Sequence, residues 1–338
     1  MLKGTLSHPY VKFIAKKVVF YGFVTFIALS LAFYIPRRMP GSPVQNWIRG
    51  ASNLPQYKEI AAYIMNHLGL DRPDHEQYIN FWSQLLQWPP DLGKSFHYND
   101  PVAKSIMAKL PYTLVLVFPV LVISFLLGNW IGARAAYMGG KPSELTYFLS
   151  VFSNRLPSWW FGYILYFVFI TTYKIFPIPG GAVIPGITSP LTLEYIRKFF
   201  NYYTLPFLTL FIIYLGGWAT GMRSMVIHEM DSGYVRYTDQ LGFRKSKSMG
   251  YVRRNAILPQ FTGINLYLNA LIGETIVVER IFGWPGIGDL IVEASHNCDY
   301  PLVIGSIVVV ICVVVLGNFI IDVLYGFVDP RIRLGRGW

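Results

Sequence analysis

The sequence predicts an all-α, polytopic membrane protein with six transmembrane helices and a helical extracytoplasmic segment between the first and second. Three observations predict it. Hydrophobic residues make up 53% of the 338-residue chain and charged residues 14%, with a mean hydropathy of +0.40, whereas a soluble domain carries about 25% charged residues. Six stretches of 18 to 24 residues hold no Asp, Glu, Lys or Arg: those between Lys17 and Arg37, Lys109 and Arg134, Arg155 and Lys174, Lys198 and Arg223, Arg254 and Glu274, and Asp299 and Asp322. A helix crossing a bilayer needs roughly 17–25 such residues. Finally, with the N-terminus inside, the cytoplasmic segments gather most of the lysines and arginines but few of the acids. The whole formal net charge of +11 then lies on one face, as the positive-inside bias requires. Both termini are cytoplasmic in this topology, and the pI near 9.5 needs no nucleic acid to explain it.

Residues 1–36 form the cytoplasmic N-terminus and the first helix, Val18–Pro36. No small-residue cleavage site follows, only "IPRRMPGSP", so the run is expected to stay as a span rather than leave as a signal peptide. Residues 37–110 form the extracytoplasmic segment. In it, "HEQYINFWSQLLQW" places Tyr78, Phe81, Trp82, Leu85 and Leu86 on one helical face, expected to pack on the membrane part or the lipid interface rather than on a ligand. The transmembrane core is 111–327. Its second helix, Pro111–Met138, ends in a tight "GGKPSE" turn. The third, Leu145–Phe176, carries "SNRLPSWWFG" and is expected to kink at Pro157, with Trp159 and Trp160 packed inside. A seventh uncharged run, Ile175–Leu193, holds four prolines and three glycines; its backbone could not be satisfied in lipid, so it is expected to be an external loop. Tyr203–Met230, Pro259–Arg280 and Pro301–Phe327 complete the six, and 328–338 is a short basic tail.

Catalytic signatures are missing. The chain has no GxxxxGK[ST], HExxH or GxSxG. Gly286-Ile287-Gly288-Asp289 matches the GxGD pattern of intramembrane aspartyl proteases. That chemistry needs two facing aspartates, yet Asp289 falls in an external loop and Asp322 near the opposite end of a span. Asp289 suits the first turn of a short helix after the Trp284-Pro285-Gly286 turn. Cys298 and Cys312 fit neither a disulfide nor a metal site. Glu274 interrupts the fifth helix. An ionisable group there either faces a pathway or snorkels from the outer end; with Asn265 and Asn269 it could form a polar stripe.

The most patterned polar stretch is the cytoplasmic loop 231–258. Tyr234, Tyr237, Thr238 and Leu241 share one helical face, Ser232 can cap its start, and Gly242 falls where a left-handed C-terminal glycine belongs. A second helical piece is expected over Ser246–Ile257, with Pro259 opening the fifth span. Lipid attraction accounts for the basic charge but not for the periodicity, which points to a docking element for a cytoplasmic partner.

"YVRYTDQLG" (Tyr234–Gly242) and "RNAILP" (Arg254–Pro259) resemble the coupling loop of ABC-importer permeases, most closely the first, B-type permease of the dipeptide/oligopeptide branch, with its "YVRTARAKG" and "RNALLP". "VERIFGWPGIG", "DYP", "DVLYGFVDPRIR", "LGLDRP", "QY", "DLGKSF" and "PGSP" extend the resemblance along nearly the whole chain. Thr238, Gln240 and Leu241 depart from that branch's Ala, Ala and Lys, Tyr251 stands where His is common, and Gly242 to Pro259 is one residue shorter.

The resemblance implies a type I importer permease in the cell membrane, non-catalytic, paired with a second homologous permease. Two ABC ATPase subunits would hold the ATP and Mg, with no cofactor on this chain, and an extracytoplasmic binding protein would deliver a solute: a peptide, or in some members an oligosaccharide or nickel. It assigns Tyr234, Arg236, Asp239, Gly242, Arg254, Asn255 and Pro259 to ATPase coupling, with Asn265, Asn269 and Glu274 as pathway candidates. A stand-alone secondary transporter or channel would instead need coupling-ion sites and usually internal repeats, neither of which is visible.

Overall fold

The computed structural model describes residues 9–38, 62, 65, 71–95, 97–178 and 192–328. Their regular structure is helical: α1 (Pro9–Arg37), α2 (Asp74–Leu85), α3 (Val102–Met138), α4 (Gly140–Arg155), α5 (Ser158–Tyr166), a π-helical turn (Phe167–Thr172), α6 (Leu193–Met230), α7 (Gly233–Gln240), α8 (Lys245–Phe282), α9 (Ile287–His296) and α10 (Tyr300–Val328). The chain folds as two compact units, one over Met1–Lys16, Leu114–Trp284 and Leu316–Trp338, the other over Lys17–Thr113 and Pro285–Val315.

In the first unit α6 packs on α4, α5 and α8. Small residues allow it. A Cβ on Gly128 of α3 would lie 2.5 Å from the Trp218 Cβ, and one on Gly132 would overlap the Ala219 carbonyl. A Cβ on Gly216 would collide with Ser153 and the Ser150 carbonyl of α4. On Gly217 it would lie 2.6 Å from the Tyr267 hydroxyl of α8 and 2.7 Å from the Asn154 amide. Helices approach this closely in lipid, where association relies on packing and hydrogen bonds rather than on expelling water. Trp218 fills the centre, stacked on Tyr267 at 4.0 Å between centroids and met edge-on by Phe125. At the end of α8, left-handed Gly283 (φ 57°) turns the chain so that Trp284 is fully buried against Phe199 and Tyr203.

The second unit is tied by aromatic and polar contacts. α2 lays Tyr78, Phe81 and Trp82 on α1, around the fully buried Phe33. Ser30 and Tyr78 share a 2.7 Å hydrogen bond, and the Arg37 guanidinium lies 3.5 Å over the Phe33 ring. The buried Asp299 carboxylate caps α10 through the Leu302 amide. It also accepts from the Ser95 hydroxyl and the His97 amide, so one carboxylate fixes Ser95 and His97 to the start of a span. α9 buries Ile287, Leu290 and Ala294 against Val102 and Ile106 of α3.

The all-helical class holds, but several elements differ from expectation. Among the described residues five helices are long and apolar enough to cross a membrane; in the third expected span lies a shorter apolar helix, Ser158–Thr172. The cause is Pro157. It forces Leu156 into extended backbone (ψ 128°) and is itself extended (ψ 131°), so the expected helix Leu145–Phe176 is cut into α4 and α5 rather than kinked. Trp159 and Trp160, just after the break, are about half exposed, not packed. α3 and α6 begin nine and ten residues before their expected starts at Pro111 and Tyr203, α6 with Thr192 capping the Tyr195 amide. Pro259 does not open a new helix. α8 runs through it from Lys245 to Phe282, which leaves the Asn255 carbonyl without its usual helical donor. Of the run expected as an external loop, Ile175–Ile178 is non-helical and 179–191 lies outside the described residues, as do the tail beyond 328 and most of 39–70.

The close approach at α6 gives a direct test. Gly132→Val should lower the stability of the purified protein by about 1–3 kcal/mol through overpacking, read as a lower thermal midpoint in detergent. Gly22→Ala, at a helical glycine with nothing within 4 Å, should leave the midpoint unchanged or raise it.

Candidate coupling surface and polar stripe

α7 is an eight-residue helix in the loop between α6 and α8. Its start has the expected Ser232, in extended backbone, but the hydroxyl makes no cap hydrogen bond. Its end is built by Gly242 at φ 71°. The Gly242 amide donates to the Asp239 carbonyl (3.0 Å) and the Phe243 amide to the Thr238 carbonyl (3.1 Å), the paired bonds of a Schellman stop. The placement of this glycine is therefore dictated by backbone geometry.

The packed face is not the expected one. Val235 is buried among Met222 and Val226 of α6, Val252 and Ala256 of α8 and Ala133 of α3, while Tyr237 and Leu241 are 61% and 54% exposed. Of the face shared by Tyr234, Tyr237, Thr238 and Leu241, Tyr234 packs at the edge of this core, while Val235 fills the gap between the three helices. Polar contacts fix the helix further. The Tyr234 hydroxyl donates to Glu229 at 2.6 Å; burial first, then this bond to a carboxylate, holds the phenol above its ordinary pKa and hence neutral. Thr238 and Ser248 share a 3.1 Å hydrogen bond, and Ser248 reaches Asp239 at 3.5 Å. The Tyr137 hydroxyl donates to the Met249 carbonyl at 3.2 Å.

The exposed residues include Arg236, Tyr237, Asp239, Gln240, Leu241, Gly242, Phe243 and Arg244 on and after α7, and Lys245, Lys247, Tyr251, Arg253, Arg254, Asn255 and Pro259 on the N-terminal part of α8. They present guanidinium, carboxylate and aromatic groups on backbone held by a common core. Of the expected coupling residues, Arg236, Asp239, Gly242, Arg254, Asn255 and Pro259 belong to this exposed set, and Tyr234 anchors it. Val235 escaped the sequence reading; an aliphatic residue between Tyr234 and Arg236 in a polar loop was its signal.

The polar stripe on α8 divides in two. The Asn265 amide donates to Asp322, and the Asn318 amide to Asn269, both at 2.8 Å, so these asparagines tie α8 to α10. Glu274 is separate. It is half-buried and lies beside Ser158 at the start of α5 and near the Tyr214 hydroxyl. Among the described residues no three His, Cys, Asp or Glu side chains gather as metal ligands. Asp289 lies in the first turn of α9, and Asp322 accepts from Asn265.

The seating of α7 is testable. Val235→Asp would bury a carboxylate among apolar side chains. Amide hydrogen exchange over 233–243 should accelerate at least tenfold, with the spans unchanged; equal protection would show that Val235 does not hold the helix.

Residues 128–334 match the family of the binding-protein-dependent transport system inner membrane component. The chain is 30% identical over 310 residues to the oligopeptide transport system permease protein AppB of Bacillus subtilis (strain 168), covering 90% of this chain and 93% of that one. It is 29% identical over 330 residues to the di/tripeptide transport system permease protein DppB of Pseudomonas aeruginosa (strain UCBPP-PA14), covering 92% and 96%. To the dipeptide transport system permease protein DppB of Escherichia coli (strain K12) it is 28% identical over 329 residues, covering 91% and 95%. This multi-pass, non-catalytic membrane protein therefore belongs to the binding-protein-dependent inner membrane transport components, in their dipeptide/oligopeptide ABC permease branch.

Proposed function

We propose that this chain is one of two permease halves of an ATP-driven peptide importer. α7 is the observation that carries the reading: a rigidly ended helix, seated in a core shared with α3, α6 and α8, with Arg236, Tyr237 and Asp239 turned outward. Such a surface suits a partner groove. The partner is an ABC ATPase subunit, which would hold the ATP and Mg that this chain has no cradle for. Because Val235 of α7 and Val252 and Ala256 of α8 share one core, a push on α7 is passed to the base of a 38-residue helix. That is rigid-body coupling of the kind alternating access needs.

The wider assembly follows from the same reading. A second homologous permease completes the pathway, an extracytoplasmic binding protein delivers the solute, and both termini face the cytoplasm. Peptide is favoured because the relatives are named for oligopeptides, dipeptides and tripeptides; none of these names an oligosaccharide. Glu274 is the pathway-facing candidate, while Asn265 and Asn269 act through the α8–α10 contact.

Gly242→Pro cannot adopt φ near +71° and loses the amide that closes α7; Asp239→Arg reverses an outward charge. Each should cut peptide uptake and peptide-stimulated ATPase activity of the assembled complex at least tenfold, with the amount of chain in the membrane within twofold of wild type. Unchanged stimulated ATPase activity in both variants would contradict the coupling role.

A further inference from the structure

Glu274 is a carboxylate within the fifth expected span that the packing of the helices does not account for. It has no lysine or arginine partner among the described residues. One oxygen, Oε2, is buried with no hydrogen-bond donor among them. Ser158, the first residue of α5, lies beside the carboxylate, which places it toward the positive end of that helix, where negative charge is favoured. Close by, the hydroxyl of Tyr214, a residue only 3% exposed, also lacks a partner. Its ring is fixed edge-on against Tyr267, centroids 5.7 Å apart.

The site thus offers two fixed oxygens, one of them on a carboxylate, and is short of donors and of positive charge. A buried carboxylate with a structural role is satisfied internally elsewhere in the chain: Asp299 accepts from three donors. An ammonium group supplies what is missing: three N–H donors and one positive charge on a compact head. In a low-dielectric span that pairing is worth more than in water.

We propose that Glu274, with Tyr214 and Ser158, is a recognition site for a primary ammonium group of the transported solute. This rests on the peptide reading, and two sources share the chemistry: the free N-terminus of a peptide and a lysine side chain. Glu274 is then a specificity-determining residue of the pathway. Ser158 and the start of α5 position its carboxylate.

The test is uptake into membrane vesicles carrying the complete transporter and its binding protein. Three tripeptides are used: one neutral with a free N-terminus, its N-acetylated form, and an N-acetylated form with one lysine. The readout is uptake of each ammonium-bearing peptide relative to the N-acetylated neutral one, which cancels differences in transporter amount. Glu274→Gln should lower at least one of these ratios about tenfold, the scale of a lost hydrogen bond to a charged group, and the arm that falls identifies the amine. Glu274→Asp should recover part of it. If Glu274→Gln does not assemble, Tyr214→Phe, which removes only the hydroxyl, should lower the same ratio at least threefold. Ratios unchanged in the assembled variants would overturn the proposal while leaving the peptide reading intact. Wild-type vesicles that move none of the three peptides would refute the peptide reading, and this proposal with it.

Discussion

The first unit depends on the absence of side-chain atoms along α6. Gly216 and Gly217 let α4 and α8 reach its backbone, and Gly128 and Gly132 bring α3 against it. In lipid no water is expelled when helices meet, so contact distance and matched polar groups decide which packing wins. A single methyl at Gly132 would strike the Ala219 carbonyl, and backbone cannot step aside as a flexible side chain can. This close approach fixes the positions from which α6, α8 and α3 form the pocket for Val235, so the seat of α7 depends on glycines more than a turn away.

Polar groups then lock what the glycines bring together. Asn265 with Asp322 and Asn269 with Asn318 join α8 to α10; Tyr234 with Glu229 and Thr238 with Ser248 join α7 to its neighbours. Each pair matches a donor to an acceptor, so little is lost on removing them from water. Glu274 differs from these pairs: it is a carboxylate with no lysine or arginine beside it among the described residues, and its Oε2 is buried without a donor. In the second unit Asp299 plays a locking role, joining Ser95 and His97 to a helix start with one carboxylate.

Much of this was legible in the residues. Charge-free runs located most of the spans because burial in lipid forbids charge over a fixed length, and Gly242 was legible because few other residues accept its backbone angle. Helix extents were less so. α3 and α6 continue past their apolar runs because a helix leaving the bilayer still satisfies its own backbone, and hydropathy does not record that. Pro259 and Pro157 show the same residue with opposite outcomes. α8 carries the first through, its apolar and polar contacts on both sides outweighing one lost hydrogen bond. At Pro157 the extended Leu156 ends one helix and begins another. The coupling face was misjudged for a related reason: Tyr237 and Leu241 are periodic, but the space between three helices fits a valine. The glycine contacts were visible as Gly-xxx-Gly and Gly-Gly and went unread.

The central claim is that the outward face of α7 meets an ATP-hydrolysing subunit while its inner face holds the permease together. Single-cysteine cross-linking in native membranes tests both halves at once, with Cys298 and Cys312 replaced by serine. Tyr237→Cys should capture an ATPase subunit in good yield, in a manner that changes on adding ATP, whereas Val235→Cys should capture none. Equal capture at both positions, or capture at neither in membranes that still transport, would contradict the account.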